Sequence, residues 1–291
     1  MRFQFIAREE GNHPVEIMCH CLQVSTSGYY AWKKRGISDR AKARVALADR
    51  VRKIFTDNDS TYGYRRVHAE LARTGVAVDD DTVRQIMADL GLEACQRRRG
   101  PRTTMPAECV GLPDLLRRDF TADRPGHKLV GDITYIATWA GWVYLATVLD
   151  CFSKKVVGYS MSSRMTADLV CDALRKASER VDFLPGETLF HSDRGVQYMS
   201  GKFMELCREL GVVRSVGRTG VCWDNAWAES FNGSLKNELV NRKVYPTRRH
   251  AINDVTTWIE LRYNRTRLHS ALGYRTPDEV EAEWFDRHRA S

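Results

Sequence analysis

Apolar residues recur at helical spacing through the first third of the chain and at strand spacing from about residue 128 onward. Val45, Ala48, Val51 and Phe55 mark one helical face within Ala41–Phe55. Tyr62–Leu71 reads as a second amphipathic helix, with Gly75 as its stop. Asp79 to Asp81 offer N-caps for Thr82–Leu90, whose Val83, Ile86, Met87 and Leu90 share a face. Short helices joined around a glycine, with basic residues alongside, resemble a helix-turn-helix.

After residue 124 the period changes. Lys128–Thr138 and Trp142–Phe152 are rich in Val, Ile, Tyr and Thr around Trp139-Ala140-Gly141, and Lys155–Met161 makes a third strand. A helix (Ala167–Val181), a strand (Thr188–His191), a helix (Lys202–Leu210), a strand (Val212–Val216) and a helix (Ala226–Val240) follow. A strand meander followed by αβαβα predicts one mixed sheet with helices on both faces, an order compatible with a ribonuclease-H-like fold. The expected divisions are a helical region (1–55), a helix-turn-helix-like region (56–95), a basic linker (96–124), the α/β core (125–240) and basic C-terminal helices (241–291).

Composition sharpens this. Lys and Arg number 45 against 37 Asp and Glu, a net charge of +8, which favours a polyanionic partner. Arg97, Arg98, Arg99 and Arg102 cluster beside Gly100-Pro101, and Arg265, Arg267 and His269 lie in a basic, aromatic tail with Tyr263 and Asn264. Both are candidates for phosphate contact. Trp142–Leu149 is the longest apolar stretch and far too short for a bilayer, and the N-terminus lacks the pattern of a secretion signal; the expectation is a cytoplasmic protein without membrane contact. The eight cysteines do not pair as a disulfide framework. Cys19-His20-Cys21 lacks a second ligand pair at finger spacing, so reduced structural thiols are expected and not zinc.

Three acids stand out. Asp132 lies inside an otherwise apolar strand, a costly place for a carboxylate unless it is paired or metal-bound. Asp193 closes a strand beside Gly195, where open α/β sheets bind ligands. Glu229 sits on a helix two turns before Lys236. Asp150, across the hairpin from Asp132, competes for the first position, and spacing alone does not choose between them. Asp224 reads as a helix N-cap, with Asn225 similar.

Asp193 and Glu229 are separated by 35 residues, and Lys236 follows Glu229 by seven. With YGYRRVHAEL, VGDITYI, HSDRGVQY, WDNAWAESFNGSLKNEL and YNRTRLHSALGYRTPDEVE, this pattern resembles the IS-three family of insertion-sequence transposases, specifically the product of its second reading frame. The blocks span residue 61 to about 281. The resemblance implies a DDE core in which Asp132, Asp193 and Glu229 bind two Mg²⁺ ions (Mn²⁺ as a substitute), with Asp150 left structural. It implies that Lys236 contacts DNA near the acids and that the segment Arg218-Thr219-Gly220-Val221 orders around DNA. The implied activity is DNA strand cleavage and strand transfer. The implied partners are element ends and target DNA, a second copy on paired ends, and an upstream-frame product that is fused or associated. A bacterial, nucleoid-associated location follows from the same likeness. Leu129 stands where the family often has tryptophan, and Val196 and Met199 vary the second block; neither change removes a carboxylate. The rival expectations are a nuclease on the same core and a DNA-binding regulator with an inactive core.

Overall fold

The computed structural model describes residues 1–35, 38–95, 112–217 and 225–289. Arg97, Arg98, Arg99, Arg102, the Arg218–Val221 segment and Asp224 lie outside the described residues. The chain divides into two compact units, Met1–Glu93 and Ala94–Ser291.

The first unit is helical. α1 (Arg2–Glu9), α2 (Val15–Cys21) and α3 (Thr26–Arg35) close around Ile6, Met18, Cys19 and Tyr29. α4 (Asp39–Asp57), α5 (Tyr64–Arg73) and α6 (Asp80–Asp89) bury Val51, Phe55, Val67, Leu71, Val83, Ile86 and Met87. The cap expected before α6 is Asp79, whose carboxylate accepts from Thr82 N at 3.2 Å. Gly75 ends α5 with φ +78°, a conformation that costs glycine little. One boundary differs from expectation. The division at 55/56 cuts through α4, which packs on both α5 and α6 because Val51 and Phe55 lie on its buried face.

The second unit is built on one sheet. β1 (Lys128–Thr138), β2 (Gly141–Asp150) and β3 (Val156–Ser162) form the antiparallel meander; β4 (Leu189–Ser192) and β5 (Val213–Val216) add parallel strands, in the order β3-β2-β1-β4-β5. α7 (Ala167–Ser178) and α8 (Gly201–Glu209) cover one face, burying Leu129, Val148, Val157, Leu174, Phe190 and Phe203. α9 (Ala226–Glu238), α10 (Arg248–Thr257) and a π-helical turn (Trp258–Asn264) cover the other. There Val130, Ile136, Leu145, Phe231, Leu235, Val255 and Ile259 meet. α11 (Pro277–Arg289) ends the described chain. The mixed α/β architecture matches the strand-then-alternation pattern. The division at 240/241 does not mark a separate body: Ala251, Val255, Trp258, Ile259 and Tyr263 pack into the same apolar cluster as α9.

Candidate active site

The carboxylates are gathered by strand register. β1 and β4 run parallel with Val130 opposite His191, so two residues further along each chain stand Asp132 and Asp193. β4 stops at Ser192, and the turn that follows holds Asp193 Oδ1 with the Gly195 N–H at 3.0 Å. Gly131, just before Asp132, is bare because Phe190 fills its space; a Cβ there would come within 2.3 Å of that ring.

α9 supplies the third acid. Its first turn is held against β1 by Asn225 Nδ2, which donates to the Gly131 carbonyl at 3.4 Å. Glu229, Asn232 and Lys236 follow at spacings of three and four, one stripe of the helix. Asn232 Nδ2 donates to Asp132 Oδ2 at 2.6 Å, fixing that carboxylate's orientation. Asn232 was not singled out by the sequence; its signal was the position between Glu229 and Lys236 on the same face.

These neighbours make an unbalanced field. Burial, then the negative charge of Asp193 and more weakly that of Glu229, push the Asp132 carboxyl up to about 8; the Ile133 N–H and Lys236 offset only part of this. Burial also raises Asp193, against the opposing pull of the Gly195 N–H and of His191. Tyr198, buried beside both acids and packed on Phe190 and Phe203, is held far above the usual phenol range by burial and by the same two carboxylates. Glu229 is exposed and Asp132 and Asp193 half-buried, so the cluster opens to solvent on the α9 side.

Asp150 is elsewhere. Register pairs it with Leu129, while Asp132 faces Thr147. Leu129 and Asp132 are an odd number of residues apart, so their side chains leave opposite faces of the sheet. Asp150 is fully buried and accepts from Gly126 N (3.0 Å), Ser153 N (2.7 Å) and Ser153 Oγ (2.7 Å), tying two turns together. We expect Asp150→Asn to cost about 1–3 kcal/mol of stability, because the amide replaces one acceptor oxygen by a donor facing donors. Thermal unfolding checks this; an unchanged melting temperature would remove the structural role.

The comparisons with known proteins bear on the whole chain. An integrase core domain model matches residues 122–222 and a second model of that description matches 210–277; an HTH-like domain model matches 42–100. The chain is 37% identical over 286 residues to the transposase InsF for insertion sequence IS3A of Escherichia coli (strain K12), covering 97% of this chain and 98% of that protein. The chain belongs to the IS3 family of insertion-sequence transposases. To the transposase for insertion sequence element IS629 of Shigella sonnei it is 35% identical over 275 residues, covering 92% of this chain and 91% of that one. Among solved structures it resembles the HTLV-2 integrase catalytic core domain in complex with magnesium, at TM-score 0.42 and 20% identity, over 55% of this chain and 98% of that one.

This transposase therefore carries an integrase core domain, and its activity class is polynucleotidyl transfer. The HTH-like match begins inside α4, which joins α5 and α6 in that region, in keeping with their packing. No helix among the described residues is long and apolar enough to cross a membrane.

The expected DNA contacts separate into groups. Lys236 lies beside the acids, and its Nζ sits 4.7 Å from the ring centre of Tyr135. Arg265 is exposed. Arg267 and His269 are corrected: both are only 5% exposed, which leaves no room for a phosphate. Arg267 instead forms a bidentate pair with Glu238 (2.9 and 2.7 Å), and His269 packs edge-on against Tyr263. The Cys19-His20-Cys21 motif yields no metal group among the described residues; Cys19 is a core residue and Cys21 is exposed.

Proposed function

We propose that Asp132, Asp193 and Glu229 hold two divalent ions, Mg²⁺ or Mn²⁺ in its place, for cleaving DNA at the element ends and joining them to a target. The observation that carries this reading is a convergence of elements: the β1–β4 register brings Asp132 and Asp193 together, and the helix bearing Glu229 is tied to Asp132 through Asn232. Burial and the charges of Asp193 and Glu229 push the Asp132 carboxyl up to about 8, and Lys236 offsets only part of this. The donor set is all oxygen, as a hard cation requires. Among the described residues, only the exposed Asp79, Asp80 and Asp81 bring three ligand atoms within 4.8 Å of one another. The oxygens of the three acids are therefore not drawn into one tight cage, and they would hold ions by closing on them. When bound, such ions activate the attacking oxygen and stabilise the leaving one in an in-line displacement.

The chain's own groups do the positioning. The Asn232 amide and the Ile133 N–H orient the Asp132 carboxylate, and the Gly195 N–H orients that of Asp193. Lys236, a point charge on the same helix stripe, holds a phosphate of the bound strand. Arg265 adds an exposed phosphate contact. The DNA partners are the paired element ends and the target, engaged by a homo-oligomer, with an upstream-frame product contributing recognition.

Metal response tests this reading. In metal-free protein the native state holds the Asp132 proton more tightly than the unfolded chain does. The stability this contributes is full below about pH 4 and is lost as pH rises through about 8. At pH 8.5 metal-free Asp132→Asn should therefore melt above the parent, the gap closing towards pH 5. Mn²⁺ or Mg²⁺ should raise the parent's melting temperature, more at pH 8.5 than at 6.5, since ion and proton compete. An equal metal response in Asp132→Asn, or none in the parent, would refute the assignment.

A further inference from the structure

The tip of the β1–β2 hairpin exposes rings that no core demands. Tyr135 is 40% exposed, Trp142 48% and Trp139 78%. Tyr135 pairs with Tyr144 across the ladder and Trp142 lies two residues on, so the two rings share one face. They meet edge to face at 5.1 Å. Their backbone is braced: Arg248 Nε donates to the Trp142 carbonyl at 3.2 Å, and Trp139 N donates to the Tyr245 carbonyl at 3.0 Å. The rings thus stand on a fixed support, with Arg248 against Gly141 at their base.

Continuity with the acid cluster gives this patch a direction. Tyr135 is three residues beyond Asp132 on the same strand, and Lys236 serves both: its charge acts on Asp132 and its Nζ sits over the Tyr135 ring. Side chains three apart leave opposite faces of a strand, so a lysine from the α9 face that reaches the Tyr135 ring passes the strand edge. β4 pairs with β1 only from Lys128 to Val130, leaving that edge without β4 from Gly131 onward. Aromatic faces interleaved with cations suit a nucleobase and its phosphate better than an apolar protein segment, which gains nothing from an ammonium over a ring.

We propose that Tyr135, Trp142 and Trp139, with Lys236 and Arg248, form a stacking platform for an unpaired base of the strand whose phosphodiester lies at the acids. The base must be unpaired because duplex bases already use both faces in stacking. This rests on the proposed strand-transfer site for its orientation, but not for its test. Full-length protein is titrated in EDTA with two DNAs of one sequence, a blunt duplex and a duplex with a short unpaired 3′ tail carrying 2-aminopurine. The parent should bind the tailed DNA more tightly and quench its fluorescence.

Tyr135→Ala and Trp142→Ala should each lose on the order of tenfold on the tailed DNA, lose the quench, and bind the blunt duplex as the parent does. Tyr135→Phe should behave as the parent. Equal affinity of parent and alanine variants for tailed DNA would overturn the platform. So would an equal loss on both DNAs, or a changed oligomeric state with DNA binding intact, which would assign the patch to a second copy of the chain. None of these outcomes bears on the metal response, so failure of the acid site and failure of the platform are distinguishable.

Discussion

Asp132→Asn, Asp193→Asn and Glu229→Gln are each expected to reduce strand cleavage and joining by on the order of a thousandfold, the rate equivalent of several kcal/mol of charge stabilisation. Each change preserves size and removes a charge proposed to hold a hard ion. Fold and DNA binding should survive, since Glu229 is exposed and Asp132 sheds the repulsion that holds its carboxyl at about 8. The assay is strand transfer of labelled ends in Mg²⁺ and Mn²⁺, with unfolding curves in parallel. Asp150→Asn is the internal control: less stable, yet as active per folded molecule, because its side chain leaves the other face of the sheet. Near-normal transfer by any of the three variants would show that the wrong acid has been assigned, and loss of transfer by folded Asp150→Asn would point to its replacement.

The second large effect belongs to a residue with no place in the chemistry. Arg267 joins the C-terminal segment to α9 through Glu238, with a further contact to Ser234 Oγ at 3.3 Å, and its guanidinium lies over Tyr263. Both partners' side chains are under a tenth exposed. Such a pair adds little over an apolar one, but removing one member strands a charge at a cost of about 3–5 kcal/mol. Arg267→Ala should therefore lower the melting temperature by roughly 10 °C or more. Arg267→Met combined with Glu238→Leu should recover most of it. Salt-dependent DNA binding by the folded fraction should be unchanged. A stable Arg267→Ala with uniformly weakened DNA binding would restore the phosphate-contact role that its burial removes.

Much of this was legible in the residues. Alternating Val, Ile, Tyr and Thr marked β1, observed at the expected Lys128–Thr138, while β2, expected over Trp142–Phe152, runs from Gly141 to Asp150. The choice between Asp132 and Asp150 came from the family resemblance and was not legible from spacing, because it depends on the register of a long hairpin. A shift of a single residue would exchange the faces of every side chain on one strand. Asn232 was overlooked because its position between Glu229 and Lys236 marks a face of the helix but not what that face touches until the strand beneath it is placed. Arg267 was misread for the opposite reason. Its charge suggests solvent, and the acid that neutralises it lies 29 positions earlier on another element. The division at 240 failed likewise, since Trp258 and Ile259 look like a tail's apolar stripe until the sheet face they cover is known.

That last feature sets a lower limit on how small a working catalytic fragment can be made. A fragment ending with α9 would keep all three acids and every strand of the sheet. It would also strip Val255, Trp258, Ile259 and Tyr263 from the layer that presses α9 onto the sheet, and expose Phe231 and Leu235 to water. The helix bearing Glu229 would lose its backing and the three acids their fixed spacing. A minimal core must extend through Asn264, whose side chain also bonds the β3 backbone at Val156 through both its oxygen and its nitrogen.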